Sequence, residues 1–286
     1  MNNQKEITQE KAYVLGVLCG DGYLSLSKNS SYEIGLRTID GDFAEEFLKC
    51  VKIFFNVILK KEYIKSGITR IRDKTYKTKM AIRVRKCSKK IYLDLSQYGN
   101  FSTTKWKVPE EIIETKNEKI ICSFLKGFID SEGTIREYCM EITSSNKMGL
   151  DQMKELLLKI GIKRISFYKD WKSVWKLIFS GKDNLLVFYE KVGFSIKRKQ
   201  AKLESAIQYK FASTTKEYLN VLDLRKMGYD YIQISKMTGI NKWKVESWYK
   251  GESIPHQFRR DIKLGRFPEN WLGLCNSFPF LKNIKA

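Results

Sequence analysis

The apolar positions of residues 8–212 are written twice in the same order. The first pass opens with a dense apolar run over 13–22, relieved by Gly16 and Gly20, which predicts a buried helix. Alternating strands follow at Tyr23–Ser27 and Tyr32–Thr38, a hairpin around Lys28, Asn29 and Ser30. Asp40 or Asp42 caps an amphipathic helix from Phe43 to about Phe55. Strands lie near Glu62–Arg72 and Tyr76–Lys86, and a helix near Ser88–Gln97 stops at Tyr98, Gly99 and Asn100. The second pass repeats this. An apolar run over 124–133 leads to a hairpin at about Thr134–Thr143, and Asn146 caps a helix that reaches about Ile160 and ends at Gly161. Strands near Lys163–Lys169 and Ser173–Ser180 and a helix over Lys182–Val192 complete it. Phe194, Ser195, Ile196 and Lys197 then echo Phe101 through Lys105. The order helix, two strands, helix, two strands, helix predicts an α+β chain of two pseudo-symmetric αββαββα halves, 1–109 and 110–212, followed by a small all-α segment, 213–286.

The two opening runs match residue by residue when Gly16 is set on Gly127. Each ends in an acid followed by glycine: Asp21 and Gly22, Glu132 and Gly133. The C-terminal end of a helix is itself negative, so a carboxylate there is unfavourable unless something positive joins it. Gly16 and Gly20 share one helix face, as do Gly127 and Ser131. Small residues at this spacing let two helix backbones approach closely. Packed on those faces, the helices deliver Asp21 and Glu132 side by side, with Gly22 and Gly133 ending them. Two adjacent carboxylates repel, and one takes up a proton unless a cation intervenes. Magnesium suits such a site, being hard and content with one or two carboxylates plus substrate phosphates.

The paired segments resemble the two motifs of single-chain LAGLIDADG homing endonucleases, a likeness that spans about residues 8–212. The sixth motif position is Cys19 in one copy and Asp130 in the other. The resemblance implies a monomer in which each half offers a four-stranded antiparallel sheet, the two sheets forming a saddle for double-stranded DNA. It implies metal binding by Asp21 and Glu132 together with Gly20 and Ser131, with Mg²⁺ as the ion and Mn²⁺ or Ca²⁺ able to occupy the site. It also implies catalytic roles for Lys105 and Lys197, which follow the last strand–helix unit of each half. Other readings of the same pattern are a non-cleaving regulator with a helix-turn-helix and an intron RNA-splicing maturase.

Charge supports a polyanionic partner. The formal net charge is +21 over 286 residues, with a pI near 9.6. The single histidine, His256, argues against histidine-based nucleases, three-histidine zinc sites and Ser-His-Asp hydrolases. No run reaches the length of a membrane span and no apolar leader opens the chain. Six cysteines without a Cys-x-x-Cys spacing read as free thiols, which places the protein in a reducing cytoplasm or organelle. Along residues 77–85 the odd positions carry Lys77, Lys79, Arg83 and Arg85, and the even positions carry Met80, Ile82 and Val84. One face is therefore core and the other a cationic row of a single sign. In the second half Arg164, Ser166 and Tyr168 oppose Ile165 and Phe167, while Lys172 and Lys176 oppose Trp175, Leu177 and Phe179. The expected DNA contacts on the two halves are these cations with Lys28, Arg37, Arg72 and Arg136.

The remaining segment carries helix signals of its own. Tyr218–Met227 is amphipathic and ends at Gly228. Residues 231–240 then lead through Gly239 to a helix capped by Asn241 over Lys242–Tyr249. Small Ser235, the turn Gly239 and apolar Ile240, Val245 and Trp248 fit a helix-turn-helix. Its second helix offers Lys242, Trp243, Lys244 and Ser247 to a major groove. Residues 262–286 show no pattern that places them.

Overall fold

The structure, a computed structural model, describes residues 7–27, 31–71, 74–136, 138–171, 174–208 and 213–283. Its residues separate into two compact units, 1–209 and 210–286.

In the first unit Thr8 caps α1 (Gln9–Cys19), its hydroxyl accepting from the Lys11 N–H. Strands β1 (Gly22–Leu26) and β2 (Tyr32–Thr38) form the expected hairpin. Helix α2 (Gly41–Phe55) buries Phe43, Ala44, Phe47, Cys50 and Val51, the i, i+4, i+7 face of an amphipathic helix. Where two long strands were expected there are four short ones: β3 (Lys60–Ile64), β4 (Gly67–Ile71), β5 (Lys74–Thr78) and β6 (Ala81–Cys87). Only β3 and β6 join the main sheet, in the antiparallel order β1-β2-β6-β3, while β4 and β5 form a separate ribbon. Met80, expected in the core, is 61% exposed because it lies in the break between ribbon and sheet. Ser88 caps α3 (Lys89–Ser96), and a short α4 (Glu110–Glu114) leads into the second half.

Asn117 caps α5 (Glu118–Glu132). Strands β7 (Gly133–Arg136) and β8 (Cys139–Ser144), helix α6 (Lys147–Lys159), β9 (Ser166–Lys169), β10 (Trp175–Ser180), α7 (Lys182–Lys191) and α8 (Lys197–Gln208) follow. The second sheet runs β7-β8-β10-β9, again antiparallel. Strand β9 starts later than its alternation suggests, since Arg164 has φ +56°, which breaks the extended run. One face of this sheet is core: Ile135, Met140, Ile142, Leu177 and Phe179 are buried.

The second unit is all α. Helices α9 (Thr215–Lys226), α10 (Tyr231–Thr238), α11 (Lys242–Lys250), α12 (His256–Lys263) and α13 (Trp271–Ser277) are closed by a 3-10 turn at Pro279–Asn283. Its core gathers Tyr218, Leu222, Ile234, Val245, Trp248, Phe258, Ile262, Leu274, Phe278 and Leu281. Residues 262–283, opaque in the sequence, thus complete this core.

Candidate functional site

The site is built on the seam between α1 and α5. A Cβ added at Gly16 would overlap the Phe124 carbonyl, and one at Gly127 would overlap the Tyr13 carbonyl. The helices therefore touch through their backbones, as the spacing of small residues required. Further down the seam, Gly20 stands against Ser131, and a Cβ there would lie 2.6 Å from Ser131 Oγ and 3.6 Å from Glu132 Cγ. Residues 20–21 are thus carried beside 131–132. The helix ends differ in detail from expectation. Gly20, not Gly22, is the C-cap of α1, and Gly22 opens β1. Gly133 follows α5 in extended conformation, φ −84°, so it is needed for its missing side chain rather than for a left-handed turn. A Cβ there would overlap Ile129 Cγ2.

The electrostatics of the two acids follow from this packing. Burial first, and the charge of Asp21 second, push the Glu132 carboxyl up to about 7, with Lys199 pulling the other way. Asp21 opens to solvent, yet the protein packed around it displaces enough water to raise its carboxyl too, against the pull of Lys199. Both carboxyls are raised, so the pair takes up a proton more readily than two free carboxyls would. A site that holds two carboxylates together at this cost is matched by a divalent cation. Among the described residues no group of three or more His, Cys, Asp or Glu side chains is placed to hold a metal. A two-carboxylate site fits magnesium, which keeps water and phosphate oxygens as its remaining ligands. Asp21 and Ser131 line a cleft of about 550 Å³ with Arg37, Asp40, Lys79, Arg198 and Lys199.

The basic group that the structure brings to the acids is Lys199. It is 7% exposed, and its Nζ donates to the Asp130 carbonyl at 2.6 Å. Burial lowers its pKa, while Asp130 raises it. Lys197 lies at the exposed start of α8, with its backbone N–H donating to Asp42 at 2.6 Å. Next to it, Arg198 makes a two-pronged pair with Asp40, both bonds 2.7 Å. The signal for Lys199 was present in the sequence: Ile196, Lys199, Leu203 and Ala206 share the buried face of α8.

The halves are unlike here. Asp130 is 1% exposed, and its carboxylate accepts from Tyr13 Oη and the Ser195 N–H, both at 2.9 Å. Burial still raises the carboxyl, and it raises the Tyr13 phenol as well. At the position matching Asp130, Cys19 is buried and points its thiol at the Lys107 carbonyl, 3.9 Å away. Near the end of the first half Trp106 is 2% exposed, its ring tilted against that of Phe128 with centroids 4.8 Å apart. Lys105 is exposed in the turn just before it.

The polar faces of the sheets depart from a single-sign row. Arg85 bonds to Glu33 at 3.2 Å and Glu62 at 3.1 Å. Lys176 pairs with Glu141 at 3.2 Å and Asp170 at 3.6 Å, and Arg136 pairs with Glu141 at 3.3 Å. The carboxylates come from neighbouring strands and loops, which the alternation within one strand does not reveal. Arg37, Lys77, Lys79 and Arg164 are exposed, and Arg83 is half-buried. Lys28, Arg72 and Lys172 lie outside the described residues. In the second unit, α10 and α11 are joined by a turn at 239–241, in which Gly239 takes φ +68°. Lys242 and Trp243 are exposed there, Trp243 by 74%. Lys244 and Ser247 are half-buried, and Ser247 Oγ lies 2.7 Å from Ser253 Oγ.

A family model described as a LAGLIDADG-like domain matches residues 119–193, which run from α5 through both strand pairs to the end of α7. Over these residues the chain is similar to a LAGLIDADG-like domain. An uncharacterized protein of Methanocaldococcus jannaschii is 32% identical over 180 residues, 57% of this chain, and the match spans 60% of that relative. Among solved structures, I-DmoI in complex with DNA and Ca is similar at 20% identity and a TM-score of 0.48, covering 70% of this chain and all of that one. Full-length DUF199/WhiA from Thermatoga maritima is similar at 14% identity and a TM-score of 0.44, covering 93% of this chain and 95% of that one. No described helix is long and apolar enough to cross a membrane.

Proposed function

We propose that this LAGLIDADG protein is a divalent-metal-dependent endonuclease that cuts double-stranded DNA at a long, asymmetric target. The observation that carries the reading is the apposition of Asp21 and Glu132 at the foot of the α1–α5 seam, where the glycine faces hold them together against their own repulsion. Asp21 and Glu132 would hold the ion, with the backbone at Gly20 and Ser131 alongside. A bound divalent cation supplies stabilisation of the charge that builds on a phosphodiester during in-line attack by water. Lys199 adds a cation to the same cleft, anchored by the Asp130 carbonyl so that it needs no reorganisation when charge develops. Arg37 and Lys79 at the rim of the cleft attract the phosphate backbone. The α10–α11 pair extends the footprint on one flank as a helix-turn-helix, with Lys242 and Trp243 outermost.

The test is cleavage of a randomised duplex library with Mg²⁺, read by sequencing the new ends, for the wild type and for Asp21→Asn and Glu132→Gln. Discrete ends in the wild type that vanish in both variants, with duplex binding retained, support the reading. Selective binding without cleavage assigns the chain to the regulators, and cleavage that persists in both variants places the chemistry elsewhere. Removing residues 210–286 should shorten the footprint on one side and flatten the salt dependence of binding, since Lys242 and Lys244 leave with them.

A further inference from the structure

Taken alone, the start of α8 is unfavourable. Its first turn carries Lys197, Arg198 and Lys199 in a row and no acid. The positive end of a helix disfavours cations. Ile196, the residue before it, has no side-chain oxygen for the unbonded N–H groups of that turn. Acids from elsewhere fill the gap. Asp42 accepts from the Lys197 N–H at 2.6 Å. Asp40 takes Arg198 through both oxygens, each at 2.7 Å, a fork that fixes direction as well as distance. Just upstream, Asp130 accepts from the Ser195 N–H and from Tyr13 Oη, both at 2.9 Å. Asp40 stands at the N-cap position of α2, yet its side chain makes no capping bond there. A favoured capping residue of the first half is thus given over to a helix of the second.

The turn held in this way is the one that carries Lys199. The N–H groups of Lys199 and Gln200 both bond to the Ile196 carbonyl at 2.9 Å. From that turn Lys199 Nζ reaches the Asp130 carbonyl, and Lys199, Arg198 and Asp40 line the cleft that also holds Asp21. Where the first turn of α8 goes, Lys199 goes. We propose that Asp40 and Asp42 are positioning residues, a clasp from the first half that holds the start of α8 so that Lys199 stands ready in the cleft. The part given to Lys199 rests on the endonuclease reading above. The clasp makes the basic group of the second half depend on α2 of the first, so that neither half completes the cleft alone.

The experiment uses the full chain as wild type, Asp42→Ala, Asp42→Asn, Asp40→Ala, Lys199→Met and the double variant Asp42→Ala/Lys199→Met. Asp40 and Asp42 are half-exposed, so their replacement leaves the core untouched. Amide hydrogen exchange without DNA reads the clasp by itself. In Asp42→Ala and Asp40→Ala the Lys199 and Gln200 amides should lose protection about fivefold, while the α1–α5 amides keep theirs. Asp42→Asn retains an acceptor and should restore the protection. Single-turnover cleavage of the duplex that the wild type cuts then reads the consequence. Asp42→Ala should slow the chemical step about tenfold with duplex affinity retained, and Asp42→Asn should recover most of the rate. The double variant should be no slower than Lys199→Met, because Asp42 acts through Lys199. Unchanged protection in both alanine variants overturns the clasp. Lost protection with unslowed cleavage, or a double variant slowed by the product of the two single effects, overturns the positioning role and leaves the endonuclease reading standing. A wild type that cuts no duplex overturns that reading and the positioning role with it, while the exchange data still decide the clasp.

Discussion

Replacing Glu132 by Gln should make the free protein more stable at alkaline pH and leave it unchanged at acid pH. In the fold this carboxyl titrates near 7 instead of near 4.5, so ionising it costs about 3 kcal/mol. Between those two pH values the folded chain binds more protons than the unfolded chain, and stability falls as pH rises. Below about 4.5 Glu132 is protonated in both states and the cost is absent; above about 7 the whole cost is present. Glutamine never carries the charge. At pH 8 Glu132→Gln should therefore exceed the wild type by about 3 kcal/mol, and the two should converge by pH 4. Urea unfolding of the full chain, followed by circular dichroism over that pH range, measures the difference. The change belongs to the transition of the first unit, because the second has a separate core. Adding Mg²⁺ at pH 8 should raise the wild type and not the variant, since a ligand that binds only the folded site stabilises it. Parallel pH profiles for the two proteins would refute the argument that the site stores carboxylate repulsion.

Three further outcomes follow. Asp21→Asn should lower the Glu132 pKa from about 7 without returning it to 4.5, because burial is the larger cause; a carboxyl-carbon NMR titration reads this directly. Gly16→Ala and Gly127→Ala should each cost about 3 kcal/mol or more in urea unfolding, since the added methyl meets a helix carbonyl that cannot move without parting the seam. Lys199→Met should slow cleavage far more than Lys197→Met while both retain most of their DNA affinity; equal rates in the two variants would remove Lys199 from the chemistry.

The seam was legible because small residues four apart have one structural meaning wherever two helices meet. The core faces of β2, β6, β8 and β10 were legible from strand parity: Ile34, Val84, Ile142 and Leu177 are all buried. Parity did not show that the stretch over 62–86 bends out into a ribbon, since the break at Met80 falls inside an unbroken alternation. Nor could it show that Glu33 and Glu62 pair with Arg85, and Glu141 with Arg136 and Lys176, because cross-strand register joins residues far apart in the chain. Choosing Lys199 over Lys197 needed the phase of α8, which is fixed by Ile196 and Leu203. Residues 262–283 were unreadable because each short element there adds only one or two residues to the core, too few for any period.

At Gly16 and Gly127 the α1–α5 seam has no side-chain layer to act as a cushion. Rotamers can take up small errors between most packed helices; here carbonyl meets Cα hydrogen, and the spacing is fixed by covalent geometry. The two acids at its foot are therefore set as on a rigid calliper. A flexible side chain can still swing, but the points from which Asp21 and Glu132 reach are not adjustable. Whatever is gripped between them must conform to the gap, so adaptation on binding falls to the partner molecule.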